Sequence, residues 1–320
     1  VKLFGFHDGH ACGYYRMMLP LGTLAEHGHD VDLNCGWHER AREYPILIGQ
    51  RVGKDGAMPL WRRLATPGRR LVWETDDDVW NIDPSNGSAW FAHTPEVLDA
   101  ITFIASTADL VTVSTEPLAE LLRPLNPNVV VLPNHIDPRL LDVVRPRRDR
   151  VTVGWAGGDS HLRDFAGVAD ALRRFLVRNP DVDFHNIGTS YLKPFDLPGR
   201  DSGWSADIWD YYRALDFDIG IAPLADTRFN RSKSGIKAME YQALGIPVVA
   251  SDCPAYRGVV LDGVTGFLVR HEHEWGRHLR ALVRDHAMRA EMGAKAREHA
   301  AQFSIERGWP LWEAAYASLA

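Results

Sequence analysis

The sequence predicts an α/β protein made of two open, mostly parallel sheets in tandem, each flanked by helices. Short apolar runs alternate with helix-patterned segments, as strands and their crossover helices do. The 320 residues also suit two domains of ~150 residues better than one. Finally, the alternation stops once, over a stretch rich in proline and arginine, and then starts afresh.

In order, Val1–Phe6 reads as a first strand, followed by a glycine-bearing loop at His7–Arg16 and a helix over Met17–His27 that stops at Gly28. Val31–Asn34, Pro45–Gly49, Arg70–Glu74, Leu110–Ser114 and Val129–Leu132 supply the other strands of the first sheet. Glu96–Ala105 and Pro117–Leu122 are helical by pattern. Pro133, Pro138 and Pro146 then cluster with Arg145, Arg147, Arg148 and Arg150, which marks a linker. Val151–Ala156 opens the second unit, and its next helix carries Phe165, Val168, Ala169, Leu172 and Phe175 on one face. Strands follow at Asp183–Ile187, Ile219–Ala222, Pro247–Ala250 and Phe267–Val269, and helices at Trp275–Arg284 and His286–His299. A last helix starts near Ser304, a suitable N-cap, and presents Trp309, Trp312, Tyr316 and Leu319 on one side. The reading is two Rossmann-like domains, 1–146 and 147–303, with 304–320 as a terminal helix.

Hydrophobic residues make up 45% and charged residues 24%, the balance of a soluble globular chain. The net charge of −6 does not advertise a polyanion partner, although Arg62, Arg63, Arg69 and Arg70 form a local basic stretch. Cys12, Cys35 and Cys253 are odd in number and widely spaced, which supports neither a disulfide framework nor a zinc ribbon. No basic and apolar leader precedes the first strand, and no run of 18 apolar residues occurs. The expectation is a cytoplasmic protein with at most peripheral membrane contact.

Ligands of such sheets bind at the carboxyl ends of the strands, so the loops there carry the candidates. After Val151–Ala156 come Gly157, Gly158, His161 and Arg163, where glycines allow close backbone approach and a helix N-terminus faces an anion. Glycines after a strand are also ordinary turn residues. The segment Asn230–Ser251 is more specific. Ser232 or Ser234 caps a helix running to Leu244, with Gly245 as its stop. Lys233 and Lys237 add positive charge where the helix dipole is already positive, which favours a bound phosphate. Glu240 flanks the buried stripe of that helix and needs a partner, either the ribose hydroxyls of a nucleotide or an ion pair with Lys233 or Lys237.

Lys233–Ser251 and its continuation Gly258–Val269 resemble the donor-binding region of retaining GT-B glycosyltransferases of family 4, in a branch resembling bacterial surface-glycan enzymes. Val111–Thr115, Val131–Asp137, Val153–Gly158 and Leu215–Pro223 stand in the order that family shows. The resemblance implies a GT-B fold, its two domains facing across a cleft and its C-terminal helix returning to the N-terminal domain. It implies transfer of a sugar from a UDP- or GDP-sugar to an acceptor hydroxyl with retention, with no metal or other cofactor required. Glu240 matches the second glutamate of the family's E-x7-E motif, expected on the ribose. Ser232 stands where the first, sugar-reading glutamate would be, so Arg231, Ser232 or backbone from Lys233 to Gly235 must take its place. Arg163 matches a diphosphate-binding lysine; the usual arginine partner falls near Gly158, and Lys233 or Lys237 compensates.

Glu74–Asp78 ends a strand at the same cleft, and three adjacent carboxylates raise one another's pKa unless cations balance them. Asp76 and Asp78 have the spacing of a metal-holding D-x-D pair, but the resemblance favours Asp76 or Asp77 orienting an acceptor, and a cap on the following turn is the plainer reading. Asp76, Asp77 and Lys233 are thus the catalytic candidates. Gly9, His10, Gly13 and Arg16 take the place of the family's N-terminal glycine loop, with Arg16 facing a phosphate or acidic acceptor. His93 and His135 read as incidental, and His271 with His273 as a solvated pair lacking a third metal ligand. The expected acceptor is a glycan or glycoconjugate, with modified DNA or a protein hydroxyl as the alternative. A sugar-nucleotide epimerase and a non-catalytic nucleotide-sugar-binding protein are the rivals from other classes. A dehydrogenase is disfavoured because no G-x-G-x-x-G follows Val1–Phe6.

Overall fold

The computed structural model describes residues 1–9, 11–54, 56–146 and 149–319, with the backbone alone at Ala11. Among them, the N-terminal strands are β1 (Lys2–Phe6), β2 (Asp30–Asn34), β3 (Ile46–Gln50), β4 (Arg70–Thr75), β5 (Leu110–Val113) and β6 (Val129–Val131). They pair in parallel in the order β2-β1-β3-β4-β5-β6. The second set is β7 (Thr152–Gly157), β8 (Asp183–Gly188), β9 (Arg200–Ser202), β10 (Ile219–Ala222), β11 (Val248–Ser251) and β12 (Gly266–Val269). Its order, β12-β11-β10-β7-β8-β9, is that of the dinucleotide-binding Rossmann sheet read from the other edge. Strand order reverses between β1 and β3 in the first sheet and between β7 and β10 in the second. The carboxyl ends of those four strands are where such sheets form crevices.

Both sheets are covered on each face, so their central strands are buried and mostly apolar. All positions of β3, β5, β7 and β10 are buried. Gly154 and Gly220 sit opposite each other in the β7–β10 pair. A Cβ at Gly154 would overlap Phe217, and one at Gly220 would overlap Tyr241. These two glycines therefore let the helix Ile236–Ala243 lie close on the switch point, where Tyr241 Oη accepts the Ala156 N–H at 2.9 Å. That close packing fixes where Lys237 and Glu240 project.

The terminal helix Ile305–Ala317 is capped by Ser304, whose side chain accepts the Glu306 N–H at 3.3 Å. Its Trp312 and Tyr316 are buried in the core of the first sheet with Leu3, Ile48 and Val72, so the last helix rests on the N-terminal unit. The chain crosses between units twice, and the crossings are tied together. Ile136 donates its N–H to Phe303 (2.9 Å) and accepts that of Ile305 (3.0 Å). Phe229, from the second unit, is buried in the other core of the first beside Trp73 and Val79.

Several elements depart from the sequence reading. The helix after β1 starts at Ala11, not Met17, and passes through a π-helical turn, Tyr14–Met18. The helices Ala57–Leu64, Gly87–Ala92 and Ile208–Ala214 and the edge strand β9 were not anticipated. Arg145 is not a solvated linker charge: its guanidinium donates to the carbonyls of Leu244 (2.8 Å), Phe217 and Gly245, capping the end of Ile236–Ala243. Arg147 and Arg148 lie outside the described residues. No helix among the described residues is long and apolar enough to cross a membrane.

Candidate functional site

Strand β4 delivers the acidic run into the seam between the two units. Glu74 is fully buried and accepts from Arg16 Nε and Nη2 at 2.9 Å each, and from Thr112 Oγ1 at 3.2 Å. Arg16 also donates to Asn134 Oδ1 (3.0 Å) and lies 4.8 Å over the Trp312 ring. The expectation that Arg16 meets a phosphate or acceptor is therefore corrected. The π-turn that begins before it swings the guanidinium into the core, where Glu74 takes its charge.

The three aspartates diverge. Burial pushes the Asp76 carboxyl up, reinforced by Asp77, and its Oδ1 is buried without a hydrogen-bond partner. Burial also opposes the charge of Asp77, but Lys233 and Arg51 outweigh it and hold the carboxyl below its usual range. The Lys233 ammonium stands 3.3 Å from Asp77 Oδ1 and Arg51 3.8 Å from Oδ2. Asp78 accepts from Asn81 Nδ2 at 2.9 and 2.8 Å, so it serves the following turn rather than a D-x-D pair with Asp76. No cluster of three or more potential metal ligands is present among the described residues.

On the facing side, the helix Ile236–Ala243 has Gly235, not Ser232 or Ser234, at its N-cap, without a side-chain cap. A Cβ at Gly235 would overlap the Ala255 carbonyl, which is why the turn there needs glycine. The serines serve the seam instead. Ser234 Oγ accepts from Asn134 Nδ2 (2.7 Å), and the Ser232 carbonyl accepts from Thr115 Oγ1 (2.7 Å). Lys237 donates to the Ala156 carbonyl and lies 5.5 Å over the Trp155 ring. Burial, with Lys233 adding to it against the pull of Glu240, lowers its pKa to about 8. Glu240 is 4% exposed and is met by two phenols, Tyr15 from the first unit and Tyr211 Oη at 2.9 Å. Burial raises its pKa despite those hydrogen bonds and Lys237. The ion-pair alternative for Glu240 is therefore not its direct contact.

The loop after β7 splits in two. Gly157 ends the strand against Trp155, whose ring a Cβ would strike, while Gly158 has open space where its side chain would be. His161 Nδ1 is 2.7 Å from Asp164 Oδ2, and burial lowers its pKa to about 4, so it is neutral near pH 7. Asp164 Oδ1 accepts from Asn230 Nδ2 (2.6 Å) and the Ala225 N–H (2.9 Å), tying this loop to the one after β10. Arg163 lies further out, half-exposed, and pairs across the seam with Asp83.

Among the described residues, the N-terminal loop is His7–Gly9. Gly9 has φ +74°, a conformation that favours glycine, and Gly13 already lies in the helix, its Cβ position 3.0 Å from Asp8 Oδ1. His10 lies outside the described residues. Among the other histidines, His93 bonds to the Ala89 carbonyl (2.7 Å) and His271 caps the helix Glu272–Arg284. His135 packs against Gly308 of the last helix, and burial lowers its pKa to about 4.

The structure thus brings Asp76, Asp77, Lys233, Ser232, Ser234, Lys237 and Glu240 to one seam, with Gly158 and His161 beside it. Sequence reasoning missed Tyr15, Tyr211, Arg51, Thr115 and Asn134. For Tyr15 the signal was present, as part of a Tyr-Tyr-Arg run beside a glycine, but its π-helical direction was not.

Residues 202–299 match the family of glycosyl transferases group 1. The D-inositol 3-phosphate glycosyltransferase of Kribbella flavida is 33% identical over 177 residues, covering 54% of this chain and 35% of that protein. Its counterpart from Corynebacterium diphtheriae is 39% identical over 186 residues, covering 50% and 41%. The chain thus spans less than half the length of these curated relatives. Among solved structures, sucrose-phosphate synthase from Thermosynechococcus elongatus superposes with a TM-score of 0.69 at 15% identity, covering 100% of this chain and 99% of that one. HepE of Anabaena, in complex with UDP-glucose, gives 0.68 at 16% identity, covering 99% and 98%. At these identities the likeness shows the fold, which is GT-B.

Proposed function

We propose that this chain, a GT-B protein of the group 1 glycosyltransferase type, moves a sugar from a nucleoside-diphosphate sugar to a carbohydrate hydroxyl, with retention and without a metal. The observation that carries the reading is the pair of half-buried lysines, Lys233 and Lys237, beside the first turn of Ile236–Ala243, at the switch point of a Rossmann-ordered sheet. Ammonium groups half withdrawn from water beside the positive end of a helix dipole are stabilised by an anion, and a diphosphate fits that need. UDP is the preferred nucleotide, in keeping with the UDP-glucose held by the HepE structure.

As the glycosidic bond to the diphosphate breaks, negative charge grows on the leaving oxygen. Lys233 and Lys237 are placed to stabilise that charge, which is the role a metal plays in other transferases. Arg163 and the Gly158 backbone extend the same surface. The leaving phosphate can accept the acceptor proton, with Asp76 or Asp77 orienting the hydroxyl. Glu240 takes the ribose, for which one of its two tyrosines must yield. The buried Ser232 leaves sugar selection to its neighbours. The three free cysteines accord with a reducing, cytoplasmic setting.

The test is a thermal-shift panel of UDP- and GDP-sugars, followed by nucleoside-diphosphate release with and without EDTA and with an anomeric assignment of the product. A shift that grows with ligand concentration, EDTA-insensitive release and a retained anomer are expected. In Lys237→Met the shift should fall to that of a ~10-fold weaker ligand or less. No shift with any nucleotide sugar would overturn the reading. Binding without release would leave a binding protein, and EDTA-sensitive release would return the metal to the scheme.

A further inference from the structure

At the mouth of the seam lies a groove of about 390 Å³, of whose lining the proposed transfer uses Arg163 alone. One wall comes from the segment after β4, with Trp80, Asp83 and Trp90; the other comes from the second unit, with Arg163, Asp226 and Arg228. Both walls are loops beyond the carboxyl ends of strands, where open parallel sheets hold their ligands. The groove joins the seam directly. The helix Arg228–Arg231 packs on the turn Val79–Asn81, and its Phe229 is buried in the core of the first unit, 4.6 Å below the Lys233 ammonium.

The lining has two distinct parts. Trp90 is 48% exposed, a large indole left in water at a concave surface, and Trp80 is half-buried with its Nε1–H held by Thr102 Oγ1 at 3.1 Å. Indole faces beside a few fixed polar groups suit the C–H face and hydroxyls of a sugar ring. The charges are the second part. Arg163 is paired with Asp83, and Asp226 with Arg231 at 2.8 and 3.1 Å. Arg228 is exposed and forms no ion pair or hydrogen bond among the described residues. The groove therefore holds neutralised pairs and one guanidinium outside any ion pair, which acts on the Asp78 carboxyl only through space and is a fork suited to a carboxylate or phosphate.

We infer that this groove is the acceptor subsite and that it takes an anionic saccharide, its ring on Trp90 and its acidic group on Arg228. The inference rests on the transferase reading above for its place in the reaction, but its binding claim stands on the groove alone. The two acidic groups are separable by experiment.

Isothermal titration of the whole protein with methyl β-glucuronide, glucose 6-phosphate and methyl β-glucoside, each with and without UDP, tests it. At least one anionic sugar should bind more tightly than the neutral one, and which of them does so identifies carboxylate or phosphate. Arg228→Ala should weaken the anionic sugar about tenfold and leave the neutral one unchanged, with Arg228→Lys recovering part of the loss. Trp90→Ala should weaken all three, whereas Phe91→Ala, an exposed aromatic outside the groove, should not. UDP binding should be the same in every variant. Equal binding of charged and neutral sugars, or anionic binding indifferent to both Arg228→Ala and Trp90→Ala, would overturn the inference. Failure of UDP to bind the unaltered protein would count against the donor reading alone, because the saccharide titrations without nucleotide still decide the groove.

Discussion

Tyr15 and Arg16 are consecutive residues of one π-helical turn, and each meets a buried glutamate, but the two pairings differ in kind. Arg16 meets Glu74 within its own unit, with two N–H···O bonds of 2.9 Å, a third bond from Thr112 and no exposure on either side chain. Tyr15 crosses to Glu240 in the other unit, and the glutamate receives phenols only, with its nearest cation, Lys237, committed to the Ala156 carbonyl. A guanidinium and a carboxylate that satisfy each other inside one core leave nothing for a ligand. A carboxylate held by exchangeable hydroxyls across a seam can trade them for those of a sugar. The first pair reads as scaffold and the second as site.

The largest effect should follow from breaking the scaffold pair. Arg16→Met leaves Glu74 buried without its counter-charge and removes the donor to Asn134, for an expected loss of about 3–5 kcal/mol in urea unfolding. Replacing both partners, Arg16→Met with Glu74→Leu, should recover most of that loss, because removing a buried pair costs far less than halving it. A single variant as stable as the parent would show that the pair is not what holds β4 against the last helix.

This contrast also marks how far the sequence could be read. The apolar runs located eleven of the strands, because a parallel sheet buried on both faces leaves that record in Val, Ile and Leu. β9 left none: Arg200–Ser202 is three polar residues on an edge, paired through backbone alone. Glu240, Lys233 and Lys237 were legible because all lie within one segment, the glutamate beside a buried stripe and the lysines at a helix N-terminus. Their partners were not. Asp77 is 156 residues from Lys233 and Tyr15 is 225 from Glu240, and only the closure of the two units brings them together. Arg16 was misassigned for a local reason, since the π-turn redirects a residue that a loop would have exposed.

A smaller effect tests the site through its protonation. Burial holds Lys237 to about pKa 8. A bound diphosphate stabilises the ammonium and so raises that pKa in the complex. The sign follows: donor affinity is full below about pH 8 and is lost as the pH rises beyond it, by at most about tenfold per unit. Titration of UDP between pH 7 and pH 9.5 should show this fall, and Lys237→Met should bind weakly with the slope removed. In the free protein the depressed pKa acts in the opposite sense, since the neutral amine suits the fold and stability from this group rises between pH 8 and the ordinary lysine range. An affinity flat across pH 8 would remove Lys237 from the diphosphate.

The finest test concerns Tyr15 itself, because it separates a ribose ligand from a structural carboxylate. Tyr15→Phe removes the hydrogen bonds to Glu240 and to Tyr212, the latter 2.8 Å long, while Tyr211 still satisfies the glutamate. The expected stability loss is about 1 kcal/mol. If the ribose displaces Tyr15 from Glu240, the free protein loses a competitor, and UDP should bind about 2- to 10-fold more tightly to the variant. That gain should vanish in Tyr15→Phe combined with Glu240→Gln, because both changes act on one hydrogen bond. If Tyr15 instead stays on Glu240 when the nucleotide binds, Tyr15→Phe should leave affinity unchanged or weaken it. Glu240 would then belong with Glu74, as a carboxylate that fixes two units in place, and the ribose would have to be sought elsewhere along the seam.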